Sequence, residues 1–152
     1  MDFVYQGPAA PPWPTLRQMV ATEQRVLVMT ENSSAGVPWI HPAFEVMQET
    51  PYSFHDPSEF SCRPNRGGRS GSLLLLNHWI ETAPAPLPSN AEKVNAYDVL
   101  LHRARNCQQQ RGKLPNLVAV DFYRTGDLLA VIETLNGIKG GGRRPSNPID
   151  MP

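Results

Sequence analysis

The chain has 152 residues, and its 14 lysines and arginines balance 14 aspartates and glutamates, so its formal net charge is zero. That length supports one domain with a sizeable core, and without a basic segment nucleic acid is not the default partner. No apolar run reaches the ~18–20 residues that cross a bilayer, and the acidic, aromatic start after Met1 does not read as a signal peptide.

Residues 1–14 are aromatic and proline-rich and read as a connection. Thr15 can cap a short helix over 15–23, with Leu16, Met19 and Val20 on one face. Residues 25–29 read as a strand that exits through Thr30, Glu31 and Asn32, and 33–38 as a loop. A second strand is expected over 44–48, exiting through Glu49, Thr50, Pro51 and Tyr52. Asp56 or Ser58 can cap a helix start, and Pro57 suits its first turn. Residues 65–72 form a loop rich in glycine and arginine.

The four leucines at 73–76 are a strand buried on both faces, with Asn77, His78 and Trp79 at its exit. Residues 84–88 are an extended linker. Ser89 or Asn90 caps the longest expected helix, over 91–110. Val94, Tyr97, Leu101 and Ala104 share one stripe of it, widened by Val99 and Leu100, and Gly112 ends it. Leu117 to Val120 is the fourth strand, and Asp121 sits where it runs out. A last helix starts at Asp127 and ends at Asn136-Gly137. The segment 139–152 reads as a disordered tail behind a single unit over 1–138.

Strands alternating with helices predict an α/β fold with a parallel sheet and right-handed crossovers. Four such units are half of an eight-stranded TIM-type (β/α) barrel, whose chemistry collects at the carboxyl ends of the strands. No GxGxxG or GxxxxGK[ST] loop joins a strand to a helix, so a nucleotide cofactor is not implied.

Asp121 is the leading catalytic candidate, because a strand-end carboxylate can orient a histidine and stabilise its charged form. Its bland alternative is a bond to local backbone N–H groups. His78 can be a base, a donor to a phosphate, or a satisfied histidine at the rim. Asn77 shares that ambiguity, and strand alternation forbids both from pointing the same way. Glu31, Glu49 and Asp121 would place three acids around one mouth, which suits a polyol or a divalent cation such as Ca or Mg. Tyr52, Tyr123, Trp39 and Trp79 offer aromatic surface for a sugar-like ring, or ordinary rim packing. His41, His55 and His102 have no partner pattern. Arg66 and Arg69 can attract an anionic head group, though solvated loop arginines are the plainer reading. Cys62 and Cys107 are either two buried thiols or one disulfide pinning a loop to a helix in a secreted protein. They are too few and too far apart for a zinc site.

The segments DFVYQGP, PWPTLRQMV, QETPYSF, PSEFSCRPNRG, LLLLNHWIET, VNAYDVLL and LPNLVAVDFYRTGDLL together resemble the C-terminal half of phospholipase C-like phosphodiesterases, in the phosphatidylinositol-specific phospholipase C superfamily. The likeness covers about residues 2–137. It implies a distorted eight-stranded barrel that cleaves a phospholipid or polyol phosphodiester, with one histidine as base and another as acid. It implies that Asp121 is the last-strand aspartate that orients a histidine, and that Glu49 and Tyr52 correspond to an acid and aromatic pair holding an inositol ring. The family places one residue between that pair, and this chain places two. Bacterial members carry a basic residue near the exit where this chain has Glu31 and Asn32.

The strands that carry both family histidines have no counterpart here, which points to an incomplete chain lacking its catalytic histidines and inactive alone. The resemblance also implies an extracellular or membrane-associated setting, a possible peripheral membrane surface, and a Cys62–Cys107 bridge. A half barrel exposes strand edges, so self-association is expected. The alternative is a non-catalytic module that binds a head group, polyol or protein.

Overall fold

The computed structural model describes residues 2–32 and 36–138, so the expected tail at 139–152 and part of the 33–38 loop lie outside the described residues. Its elements run α1 (Leu16–Ala21), β1 (Val28–Thr30), β2 (Ile40–Pro42), α2 (Ala43–Val46), β3 (Met47–Glu49), a 3-10 turn (Pro57–Glu59), β4 (Leu73–His78), α3 (Pro88–Val94), α4 (Tyr97–Arg111), β5 (Leu117–Val120) and α5 (Leu128–Leu135). The fold is α/β. One parallel sheet has the order β1-β2, and a second has the order β3-β4-β5.

Strand β4 is the centre of the larger sheet, with Leu75 opposite both Glu49 of β3 and Leu117 of β5. It is covered on both faces, which is why it reads as an unbroken leucine run. Leu76 packs with Cys62, Leu100, Ala104, Cys107 and Val131 beneath α4 and α5. Leu73 packs instead with Ala43, Val46 and Met47, against Trp13, Met29 and Phe44. Cys62 and Cys107 form a disulfide with Cα atoms 5.1 Å apart, tying the loop after β3 to α4.

Several expected elements move. The strand expected at 25–29 is β1, three residues later. Val26 makes only an isolated bridge to Val4, so part of the segment taken as a connection lies beside it. The strand expected at 44–48 opens instead as the single helical turn α2 and becomes extended only at Met47. Strand β2, between Val37 and α2, was not expected; it is specified by pairing with β1 rather than by its own three residues. In α1, Leu16 and Val20 are exposed and Met19 is half-buried, so the face they were expected to share is covered only in part.

The long helix divides at Asn95 and Ala96 into α3 and α4. Asn95 is fully buried, and its Nδ2 donates to the carbonyls of Asp121 and Thr125, 3.0 and 3.1 Å away. Helix propensity gives way there to a distant pair of acceptors. Gly112 ends α4 in the left-handed conformation, at φ 63°.

Candidate functional site

The carboxyl ends of β1, β3 and β4 hold a cluster built around one carboxylate. Glu49 closes β3 and is fully buried. Its Oε1 accepts from Asn65 Nδ2 at 2.8 Å and from Arg66 Nε at 2.6 Å. Its Oε2 accepts from an Arg66 terminal nitrogen at 3.1 Å and from Asn77 Nδ2 at 3.1 Å. A carboxylate offers about four lone-pair positions, and these four donors occupy them. Glu49 therefore presents no free oxygen to a ligand hydroxyl.

Arg66 reaches further. Its other terminal nitrogen donates to Glu31, just beyond β1, at 2.6 Å. The guanidinium thus ties the end of the smaller sheet to the end of the larger one. It lies 4.2 Å from the centroid of the Phe44 ring and 5.1 Å from that of Tyr52. The hydrogen bond to Glu49 holds Arg66 above the usual arginine range, and burial opposes this only in part. The Glu31 side chain is 68% exposed and that of Arg66 39%, so these two meet solvent while Glu49 does not.

Local sequence explains how a loop arginine becomes so fixed. The amide of Asn65 donates to the Glu49 carbonyl and the Glu49 amide to the Arg66 carbonyl, at 3.1 and 3.2 Å, so the loop pairs with the free edge of β3. Gly67 then turns at φ 71°, where any Cβ would strike the Met47 carbonyl. Arg111, at the end of α4, clamps the same loop. It donates to the carbonyls of Cys62 and Gly68, both at 3.1 Å, and also to Gln48 Oε1. The disulfide at Cys62 anchors the loop a second time.

Of the residues singled out from sequence, Glu31, Glu49, Tyr52 and Asn77 meet in this cluster. Asn77 also donates to the Thr50 carbonyl at 2.8 Å. His78 is elsewhere, because alternation turns it to the opposite face of β4. It is fully buried, its Nε2 lies 2.7 Å from the Val94 carbonyl, and its ring packs on Phe60. Burial lowers its pKa to about 4, so the imidazole is neutral and donates to that carbonyl. Its side chain is placed in the core, between the Val94 carbonyl and the Phe60 ring.

Asp121 stands apart from the Glu31–Arg66–Glu49 group. Its backbone carbonyl accepts from Asn95, and among the described residues its carboxylate has no hydrogen-bond partner. Burial raises its pKa. Tyr123, two residues on, is exposed. Among the described residues no three acids, histidines or cysteines are placed to hold a metal ion, so the expected ring of three acids does not form a cation site. Trp39 and Trp79 are half-buried, His41 is buried, and His55 and His102 are exposed.

Asn65 is the member that the sequence did not single out, and Arg66, read from sequence as either a head-group arginine or a solvated loop residue, joins it on Glu49. The local signal was the Asn-Arg-Gly-Gly run, whose glycines permit a close backbone approach. What singles out Arg66 is Glu49, 17 residues earlier in the chain.

The sequence model of the PI-PLC X 1 family matches residues 3–136. In Arthroderma benhamiae the chain is 28% identical to "PI-PLC X domain-containing protein 1", over 83% of this chain and 45% of the relative. It is 26% identical to an "Uncharacterized secreted protein" of the same organism, over 86% of this chain and 35% of the relative. The chain therefore spans less than half the length of these two relatives. No solved structure matches it, and among the described residues no helix is long and apolar enough to cross a membrane. The chain belongs to the PI-PLC X family.

Proposed function

We propose that this chain forms the head-group-recognising part of a phosphodiesterase site that acts on a phospholipid or polyol phosphodiester. Arg66 and Glu31 face the ligand, and Glu49, Asn65 and Asn77 hold Arg66 in place. Three of the five guanidinium N–H donors are engaged by Glu49 and Glu31. Two remain for a hydroxyl or phosphate oxygen. The exposed carboxylate of Glu31 accepts from a neighbouring hydroxyl, and the Tyr52 ring offers a flat face for a cyclic polyol.

In this reading the two parallel sheets are successive arcs of one (β/α) barrel, with α2 as the kink between them. Asp121 orients a catalytic histidine, and histidine acid/base chemistry cleaves the phosphodiester. That histidine is not among Asp121's partners in the described residues, so cleavage by these 152 residues alone is expected to be negligible. Exposed sheet edges favour self-association. An extracellular or membrane-associated setting accords with the secreted relative and with the buried disulfide.

The observation that carries the proposal is the fixed, part-exposed guanidinium of Arg66 at the carboxyl ends of parallel strands. Titration with glycerophosphoinositol tests it. Saturable binding that Arg66→Ala weakens by about tenfold or more supports it, since a charge-assisted hydrogen bond contributes ~1.5–3 kcal/mol. A folded wild-type chain that does not bind overturns it.

The second reading, a non-catalytic binding module, is favoured by the lone carboxylate of Asp121. Cleavage of phosphatidylinositol that is abolished by Asp121→Asn removes that reading.

A further inference from the structure

Arg103 is a cation buried without an anion. It stands on the covered stripe of α4, with Leu100, Ala104 and Cys107, and is 5% exposed. Among the described residues it makes no ion pair, and its Nε has no hydrogen-bond partner. One terminal nitrogen, Nη2, donates to two carbonyls, that of Asn77 at 3.1 Å and that of Ser61 at 3.2 Å. The guanidinium lies 4.4 Å from the centroid of the Phe60 ring and 5.2 Å from that of Phe54, and these two rings meet edge to face. Burial lowers its pKa to about 10.

Packing does not call for this residue. Taking a guanidinium out of water is costly, and two carbonyls and two ring faces offset that less fully than a carboxylate would. Methionine or leucine would fill the same stripe without a charge to desolvate. A cation kept in the core against this cost points to a service beyond packing.

The two carbonyls have Arg66 in common. Asn77 bonds Glu49 Oε2 through its side chain, and its amide donates to Thr50 Oγ1 at 3.0 Å. Ser61 precedes Cys62, the root of the loop that runs on to Asn65 and Arg66, and Cys62 is tied to Cys107, one helical turn beyond Arg103. A single nitrogen thus spans the strand end that carries Asn77 and the loop that carries Arg66. Both of these elements meet on the Glu49 carboxylate.

We propose that Arg103 is a positioning residue for the head-group site, setting the spacing across which Asn77 and Arg66 share Glu49. It touches no ligand itself. The Phe54 and Phe60 rings hold the guanidinium plane, so both carbonyls are gripped from one fixed point. Lysine would supply the charge without that plane. The weight given to Arg66 rests on the phosphodiesterase reading above.

Hydrogen exchange at Arg66 Nε, followed by NMR in the ligand-free protein, tests the positioning without any ligand. Titration with glycerophosphoinositol tests what the positioning serves. Arg103→Met keeps the bulk and removes the charge and both bonds. Recovered desolvation offsets the lost bonds, so the urea midpoint should change little. Exchange at Arg66 Nε should speed up about tenfold, while the Leu76 amide in β4 stays as protected as before. Affinity for glycerophosphoinositol should fall about threefold to tenfold. Arg103→Lys should recover part of both losses, since an ammonium can reach one carbonyl. Should Arg103→Met fail to fold, Arg103→Lys carries the test, with exchange at Arg66 faster than in the wild type.

Unchanged exchange at Arg66 in the variant that folds overturns the proposal. So does exchange that speeds up equally at Arg66 and Leu76, the mark of an arginine that only stabilises the fold. Faster exchange at Arg66 with undiminished affinity overturns it as well, because the aim of Arg66 would then not matter to the ligand. Faster exchange in a protein whose wild type does not bind glycerophosphoinositol keeps the positioning of Arg66 and removes the head-group reading.

Discussion

Arg66 gives Glu49 two of its four hydrogen bonds, at 2.6 and 3.1 Å, and does so from a loop that also pairs with the Glu49 backbone. The carboxylate is sealed and the guanidinium is not. This asymmetry makes the acid a holder and the base the group that meets a ligand. It also fixes the order in which substitutions should matter.

Glu49→Gln replaces an acceptor with a donor among Asn65, Asn77 and Arg66, and should cost about 3 kcal/mol, the low end for breaking a buried pair, because Arg66 can return to water. Glu31→Gln removes a mostly exposed partner and should cost about 0.5 kcal/mol or less. Urea denaturation of both variants measures the difference. Equal costs would contradict the sealed carboxylate.

His78 predicts an acid-sensitive fold. Its pKa falls from 6.5 to about 4 on folding, with burial as the main cause. Above pH 6.5 the imidazole is neutral in both states. Below it the unfolded chain takes up a proton that the folded chain refuses, so stability falls until about pH 4, where both are protonated. The loss from this group should reach about 3 kcal/mol. His78→Gln should give a flatter stability profile between those two pH values. A variant as acid-sensitive as the wild type would place the sensitivity elsewhere.

The disulfide closes a loop with a sequence separation of 45, for which chain-entropy reasoning gives at most about 4 kcal/mol. That loop carries Asn65 and Arg66. Reduction should therefore lower both the urea midpoint and the affinity for glycerophosphoinositol. Reduced protein with unchanged affinity would show that Arg111 and Gly67 suffice to hold Arg66.

Phe122 holds a left-handed φ of 49°, so Phe122→Gly should leave stability unchanged or raise it by up to about 1 kcal/mol, as relief of the strain offsets the added chain entropy. Phe122→Ala keeps the strain and should not raise it. Thermal melts of the two variants separate these outcomes.

The sequence displays the parts of this fold whose causes are local. The leucines of β4 are apolar in succession because both faces are covered. Thr15 caps α1 through a capping box with Gln18, and Gly112 ends α4. The parts it hides have distant causes. Asn95 sits in a run that suits a helix, and only the carbonyls at 121 and 125 break it. Glu49 was legible as a strand-end acid, but its saturation by three separate side chains was not. Arg66 stood in a stretch with the composition of a solvated loop, and became the centre of the site through pairing with β3.

The most direct test of the account is the Nε–H resonance of Arg66, followed by NMR as glycerophosphoinositol is added. The hydrogen bond to Glu49 should protect this proton and make it visible in the free protein. A saturable shift is expected there, together with shifts at Tyr52 and Glu31, and little change at His78. A ligand that binds while the Arg66 resonance stays fixed would contradict it.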